Sequence, residues 1–282
     1  MPTIFTLTNA HSNLFLDAPL DKPPIAGPQQ FGNKPGTPIQ QWTAGSNQEW
    51  TLLQPGYLPA LQIIHHASGL VIGVDSKSAG YHVQLQTNLI PSPGTGVQET
   101  PAIDQQLWLP ILANVYNPTG FTFVNRFSGL VLDVPLGIAI GKDGTAPGLP
   151  IQQFSNNSGL NQQWTFTQAP GHTLPNLAIS PTGSVGGDST LQLTGTDFKP
   201  WAGQSLMIKF FGGPFGEGSA PIGVPVLKDG TFSFAYTTQG ADMTTTTAFA
   251  QTHWVSCFIF DLNGGLIAIR GVSLIYFVAT SG

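Results

Sequence analysis

FTLTNAHSNLFLD from Phe5 to Asp17, LQIIHHASGLVIG from Leu61 to Gly73 and FTFVNRFSGLVLD from Phe121 to Asp133 align without gaps over thirteen residues. Each segment has an apolar residue at its first and third positions, Ser at its eighth and an apolar cluster before its last, and their ends recur at intervals of 56 and 60 residues. Each is followed by a second marker, a Gln two residues before a Trp: NQEW at Asn47 to Trp50, QQLW at Gln105 to Trp108 and NQQW at Asn161 to Trp164, with the tryptophans 58 and 56 residues apart. Two markers recurring together define three like units.

Within each unit the β-branched or alternating stretches are short and separated by turn residues such as PGTP, SPGTG and KDGTAPG, which predicts strands of about five residues. A unit this small cannot bury its apolar face alone, so three are expected to share one core as an all-β body over residues 1–168. After Trp164 the pattern stops, and TQAPGHTLPN (Thr167 to Asn176) reads as a stretch between domains. Residues 169–282 carry another rhythm, with STLQLTG, SLMIKFF, GTFSFAYTT, FAQTHWVSCFIFD and GLIAIRGVSLIYFVAT broken by turns such as KDG and NGG, which predicts a C-terminal antiparallel β-sandwich.

Charged residues are 8 % of the 282, with 34 Gly and 24 Pro, which argues against long charged helices and coiled coils. Nine Lys plus Arg, unclustered in a chain of net charge −5, cannot supply the phosphate neutralisation that nucleic acid demands. No apolar run reaches the ~20 residues of a membrane helix, so no membrane insertion is expected. MPTIFTLTNAHSNLF lacks the pattern of a signal peptide, so the expected location is the cytoplasm, or release by another route. One cysteine, Cys257, excludes an intrachain disulfide and a thiol-based zinc site. His65 and His66 are adjacent and would point to opposite faces of a strand, so neither a zinc pair nor any other cofactor is expected. Asn156-Asn157-Ser158 fits the glycosylation sequon, expected to go unused without a signal peptide.

Three units each closing on Q-x-W, in register with the S-G-L-type segment, resemble the ricin-B-type (R-type) lectins, whose fold is a β-trefoil. The resemblance covers Met1 to about Gln168. It implies that Trp50, Trp108 and Trp164 are core residues, and that each repeat offers a shallow sugar pocket made by an Asp, an aromatic ring further on and the Asn-Gln that opens NQ-x-W. Carried over by position, the first repeat keeps Asp17, Gln40, Trp42, Asn47 and Gln48, and the third keeps Asp133, Gln152, Phe154, Asn161 and Gln162. In the second, the acid is Gly73, the ring position is Gln86 and the Asn is Gln105, so binding by this route is lost there. Asp75, two residues on, would lie on the same face ~7 Å away. The family preference is for galactose or N-acetylgalactosamine, whose axial 4-hydroxyl lets the Asp engage O3 and O4.

The chemistry of those residue types agrees with the resemblance. A pyranose presents vicinal hydroxyls and an apolar C–H face; a carboxylate accepts from two hydroxyls, a carboxamide donates and accepts, and a ring covers the C–H patch. Gln48 and Gln162 are expected to orient the carboxylates. Taken singly, Asp17 or Asp133 reads as a turn former, and Trp42 or Phe154 as core. Their joint recurrence in two repeats, lost together in the middle one, favours binding.

No enzyme is expected. Cys257 and His253 lie four residues apart on a strand, ~13 Å at full extension, too far for a nucleophile–base pair. Cys257 reads instead as a buried apolar residue. His172 is a possible partner from elsewhere, and some mushroom R-type lectins carry a C-terminal cysteine protease domain, but the tail has no helical papain-like pattern. Asp188, Asp197, Glu217, Asp229, Asp242 and Asp261 neighbour turn residues rather than forming a catalytic pair. LQLTGTDFKPWAGQSLMIKFF resembles the start of immunoglobulin-like modules, and the roles that fit such a module are a dimerisation unit, a spacer or a second binding module, of which a structural or oligomerising role is expected. GLIAIRGVSLIYFVAT reads as a buried strand pair or a subunit interface, here a homodimer. The competing reading makes the C-terminal part an effector, cysteine protease-like or pore-forming, the Thr-rich DMTTTTAFAQT being the pore candidate.

Overall fold

In all three repeat segments the chain reverses on the same two residues. The Oγ of Ser12, Ser68 and Ser128 accepts from the backbone N–H two residues ahead, that of Leu14, Leu70 and Leu130, at 3.2–3.3 Å. The residue after each serine, Asn13, Gly69 or Gly129, takes a left-handed conformation with φ of 56–71°. Asn and Gly are the residues for which that conformation costs least, which explains why the ninth position reads N, G, G. The computed structural model containing these turns describes residues 3–19, 34–55, 60–90, 100–114, 117–136, 143–171, 175–180, 183–186, 190–211, 222–237 and 251–277.

The first unit, Pro2–Ala113 with Gly120–His172, is a β-trefoil. Phe5–Asn9 pairs with Trp164–Gln168 on one side and meets Trp50–Leu53 on the other through Phe5 and Trp50. Trp50–Leu53 pairs with Gln62–His65, and the bridge between Leu61 and Trp108 carries the sheet on to Trp108–Asn114. That strand pairs with Asn117–Asn125, which returns to Trp164–Gln168 and closes the barrel. Closure leaves these strands no free edge.

Three hairpins cap the barrel: Phe15–Asp17 with Gln40–Trp42, Val71–Gly73 with Gln84–Gln86, and Val131–Asp133 with Gln152–Phe154. Each hairpin touches the next, through bridges from Pro38 to Gln84 and from Gln40 to Pro150 and through the pairing of Tyr81–His82 with Gln152 and Gln153. Beneath the caps, Trp50, Trp108 and Trp164 are fully buried. Their indole Nε1–H groups donate to the carbonyls of Leu16, Ile72 and Leu132 at 3.0, 3.1 and 3.2 Å. A buried indole N–H needs a partner, and in every repeat the preceding hairpin supplies it.

The second unit, mainly Thr173–Gly282, is a β-sandwich. One sheet orders Asn176–Ser180, Thr190–Thr196 and Phe232–Thr237; the other orders Gly183–Gly186, Leu266–Phe277, Gln251–Phe260, Ser205–Phe211 and Ile222–Pro225. Thr190–Thr196 alternates exposed and covered residues, and its Leu191 and Leu193 meet Leu206, Ile208, Phe210, Cys257 and Ile259 in one core. The pairings of this sandwich are antiparallel, as expected, except for one strand at its edge. Gly183–Gly186 runs parallel to Leu274–Phe277, because the chain leaves the first sheet after Ser180 and continues along the edge of the second.

Of the described acids of this unit, Asp229 and Asp261 cap turns. Asp229 Oδ1 accepts from Thr231 N, and Asp261 Oδ1 accepts from Asn263 N and Gly265 N, all at 2.8–2.9 Å, while Asp197 is left-handed with φ 67°. Asp188, Glu217, Asp242, His172 and the Thr-rich run as far as residue 250 lie outside the described residues, as does the side chain of His253.

Candidate functional site

The first and third caps build the same constellation. Asp17 stands opposite Gln40 across its hairpin, and Asp133 opposite Gln152. In both, the Gln Nε2 donates to the Asp Oδ2 at 2.7 Å. From beneath, Gln48 Nε2 donates to Asp17 Oδ1 at 3.2 Å and Gln162 Nε2 to Asp133 Oδ1 at 2.9 Å. Each of these glutamines is itself anchored to the backbone of the loop after the aromatic ring, Gln48 to Thr43 O and Gly45 N, Gln162 to Ser155 O and Asn157 N. The carboxylates are buried, and burial lifts both above the ordinary Asp value while the glutamine hydrogen bonds pull the other way. A desolvated anion held only by neutral amides keeps unused lone pairs, so it retains capacity to accept from hydroxyl groups.

Two residues along from each Gln, on the same face of the strand, stand Trp42 and Phe154. They are large apolar groups left 42 % and 40 % exposed in a unit whose other repeat-marking aromatic residues are fully covered. Trp42 is backed by the neighbouring repeat: a Cβ on Gly148 would lie 3.0 Å from its Cζ3. The residue between Gln and ring, Gln41 or Gln153, turns inward and pins the adjacent repeat's loop, Gln41 Nε2 to Gly144 O and Ala146 O, Gln153 Nε2 to Ser76 O and Ser78 O. The repeated Gln-Gln-ring triplet thus divides its work between the site and the bracing of the cap.

The asparagines differ. Asn161 Nδ2 donates to Asp133 Oδ1 at 2.7 Å and to Val134 O at 3.0 Å, so this amide is committed to the carboxylate. Asn47 makes no such bond among those described; its Oδ1 accepts from Ser46 Oγ at 3.3 Å. Gln40 and Gln48 thus hold Asp17, and Gln152, Asn161 and Gln162 hold Asp133, with Trp42 and Phe154 on the strands of Gln40 and Gln152, while Asn47 joins the first cluster through its backbone, its carbonyl accepting from Ala18 N at 3.2 Å.

In the second cap the place of the carboxylate is filled. A Cβ on Gly73 would lie 2.4 Å from Gln86 Oε1 and 2.9 Å from Gln105 O, so the Gln86 side chain lies over the glycine. Gln106 Nε2, the counterpart of Gln48 and Gln162, donates to Gln86 Oε1 at 3.3 Å and to Thr87 O at 2.8 Å. His65 is buried with its Nδ1 2.8 Å from Ser68 Oγ, and His66 is exposed. His65 occupies the position of Asn9 and Asn125, whose side-chain amides tie the same turn to carbonyls of the segment just before the Trp of a neighbouring repeat, Asn161 and Gln163 for Asn9, Gln105 and Leu107 for Asn125. Among the described residues no group of three or more His, Cys, Asp or Glu is placed to hold a metal.

No protein-family model matches the chain, and no curated protein matches it. Solved structures similar to it include a salivary protein from Culex quiquefasciatus of the Cysteine and Tryptophan-Rich family, 13 % identical over 60 % of this chain and 95 % of that one, TM-score 0.40. The BEL β-trefoil is 15 % identical over 59 % of this chain and 93 % of its own, TM-score 0.40. PSL1a, solved as a complex with E64, is 12 % identical over 98 % of both chains, TM-score 0.37. By its own strand pairings, the chain is an all-β protein in which a threefold trefoil precedes a sandwich.

Proposed function

We propose that this protein is a carbohydrate-binding lectin that takes galactose or N-acetylgalactosamine ends of glycans in two clefts of its trefoil, one at Asp17 and one at Asp133. The observation that carries the reading is a buried carboxylate clamped by two glutamine amides beside an exposed aromatic ring, built twice by different repeats. The carboxylate accepts from two vicinal hydroxyls, and the ring of Trp42 or Phe154 covers the opposite C–H face. Clamping by Gln40 and Gln48, or by Gln152 and Gln162, fixes the acid's orientation before sugar arrives, which lowers the ordering cost of binding. One shallow cleft with a few hydrogen bonds corresponds to a dissociation constant of about millimolar for a monosaccharide, and two clefts on one body gain by avidity on a glycan-coated surface.

The protein binds and does not cleave. Cys257, the lone thiol, is buried in the sandwich core, and burial pushes its pKa up, away from the thiolate a nucleophile requires. The sandwich serves as spacer or dimerising unit, and the partners are galactoside-bearing glycoproteins. Calorimetric titration with lactose, alongside erythrocyte agglutination with galactose as competitor, tests the assignment. Asp17→Ala and Asp133→Ala are each expected to halve the binding stoichiometry, and together to abolish binding. Unchanged stoichiometry in the double variant overturns the assignment, and proteolysis of casein that disappears in Cys257→Ser overturns the claim that the protein does not cleave.

A further inference from the structure

The strand that carries each Gln-Gln-ring triplet runs beside a hairpin loop of the neighbouring repeat, and the two junctions match bond for bond. Gln41 Nε2 donates to Gly144 O and Ala146 O, and Gly148 N donates back to Gln41 O at 2.8 Å. Gln153 Nε2 donates to Ser76 O and Ser78 O, and Gly80 N donates back to Gln153 O at 2.8 Å. Gly148 and Gly80 share a left-handed conformation, with φ of 81° and 80°. Each loop stands against its cleft: a Cβ on Gly148 would meet the Trp42 ring, and a Cβ on Gly80 would lie 3.9 Å from Gln152 Oε1. Each proposed cleft is thus walled by a loop from the repeat next door, and whatever fixes that loop fixes the cleft.

One more residue reaches each loop, from the seventh position of the repeat segment, just before the turn serine. In the first repeat it is His11, whose Nε2 donates to Asp143 O at 2.8 Å and whose Cδ2 would lie 3.4 Å from a Cβ on Gly144. The adjacent Ser12 Oγ donates to Gln41 Oε1 at 2.8 Å, so the same turn also holds the glutamine that pins this loop. In the third repeat the seventh residue is Phe127, whose ring takes the Lys77 ammonium 4.6 Å from its centroid. The chemistry differs, a hydrogen bond in one repeat and a cation–π contact in the other, and the reach is the same. In the second repeat the seventh residue is Ala67, whose methyl group has no such reach, and this is the repeat with Gly73 in place of the acid. Ring and acid are present together twice and absent together once. A brace needed only for folding would be wanted in all three repeats.

We propose that His11 and Phe127 are positioning residues for sugar binding, each holding the loop that walls its own repeat's cleft, His11 for the Asp17 cleft and Phe127 for the Asp133 cleft. The proposal rests on the two-cleft reading and adds to it two residues that touch no sugar. They act on the ordering cost of the site. With the loop held, Trp42 and the Gln152 amide are in place before the sugar arrives; with the loop loose, binding itself has to supply that order.

The test is a titration of the uniformly ¹⁵N-labelled full chain with methyl β-galactoside, which reads each cleft separately through the amides of Gln40 and Trp42 and those of Gln152 and Phe154. His11→Ala is expected to weaken binding about threefold at the Asp17 cleft, the scale of one hydrogen bond or exposed cation–π contact, and to leave the Asp133 cleft unchanged. Phe127→Ala is expected to do the reverse. Lys77→Ser, at an exposed residue, removes the same contact without disturbing the packing around Phe127 and is expected to match it. His11→Gln, whose amide can still donate to Asp143 O, and Phe127→Tyr, which keeps a ring beside Lys77, are expected to restore wild-type affinity. Without sugar, amide hydrogen exchange is expected to quicken at Gly148 in His11→Ala and at Gly80 in Phe127→Ala. Losses shared equally by both clefts, or variants that bind and exchange like wild type, overturn the positioning role and leave the clefts standing. No shifts at either cleft in the wild type overturn the two-cleft reading and the positioning role with it.

Discussion

Acidification should unlock the trefoil at one residue, His65. Its ring is buried against Trp50, with centroids 5.2 Å apart, and burial, aided by His66, pushes its pKa from 6.5 down to about 4. Between those values the unfolded chain takes up a proton that the folded chain refuses. The stabilisation from a neutral buried His65 is thus fully present above about pH 6.5, declines as the pH falls, and is gone near pH 4. A shift of this size corresponds to about 3 kcal/mol in all, of which roughly 2 kcal/mol is lost between pH 7 and pH 4.5. With a urea m-value of about 2 kcal/mol/M, the unfolding midpoint falls by about 1 M. The molecule suggests its own control, because Asn9 and Asn125 hold the equivalent position and tie the turn down with neutral amides. His65→Asn should therefore fold, and should lose this component of the pH dependence. The assay is urea unfolding of wild type and His65→Asn at pH 7 and pH 4.5, followed by tryptophan fluorescence. Every other titrating group is common to both proteins, so the difference between the two pH shifts isolates His65. Equal shifts in wild type and variant would refute the reasoning.

Sugar binding has the opposite partner in pH. Asp17 and Asp133 have raised pKa values, so their protonation begins above the ordinary Asp value of 3.8, and affinity for lactose should fall in mildly acidic solution before exposed carboxylates titrate. For folding the sign reverses: these two acids stabilise the fold most below their unfolded value and contribute less as the pH rises through the raised one, so a titration that tracks affinity and stability together should show the two diverging. Gly148→Ala introduces a Cβ 3.0 Å from Trp42 Cζ3 at a residue with φ +81°. It should cost about 1 kcal/mol or more in stability and weaken the Asp17 cleft, as read by calorimetry, while leaving the Asp133 cleft unchanged.

Much of this molecule could be read along the chain because its determinants are local. A serine followed by a left-handed Asn or Gly makes each reversal within a few residues, and the Trp of each Q-x-W is placed by its own strand, so both leave a periodic trace. Asp17 with Gln40 and Asp133 with Gln152 could be paired in advance because each pair belongs to one hairpin, whose register follows from alternation. Other features depend on groups that approach from other repeats or from across a sheet, and a linear pattern records only which residues exist. Gln86 lies over Gly73, Asn161 is spent on Asp133 while Asn47 is not, and Gln41 and Gln153 reach into neighbouring repeats. His65 and His66 are adjacent and alike in chemistry, yet one is desolvated against Trp50 and the other faces water. The parallel strand at Gly183–Gly186 is likewise invisible to patterning, since apolar alternation reports which face is buried and is silent on the direction of the neighbouring strand. Periodicity encodes what a segment buries; hydrogen-bond partners and local dielectric arise only when distant segments meet.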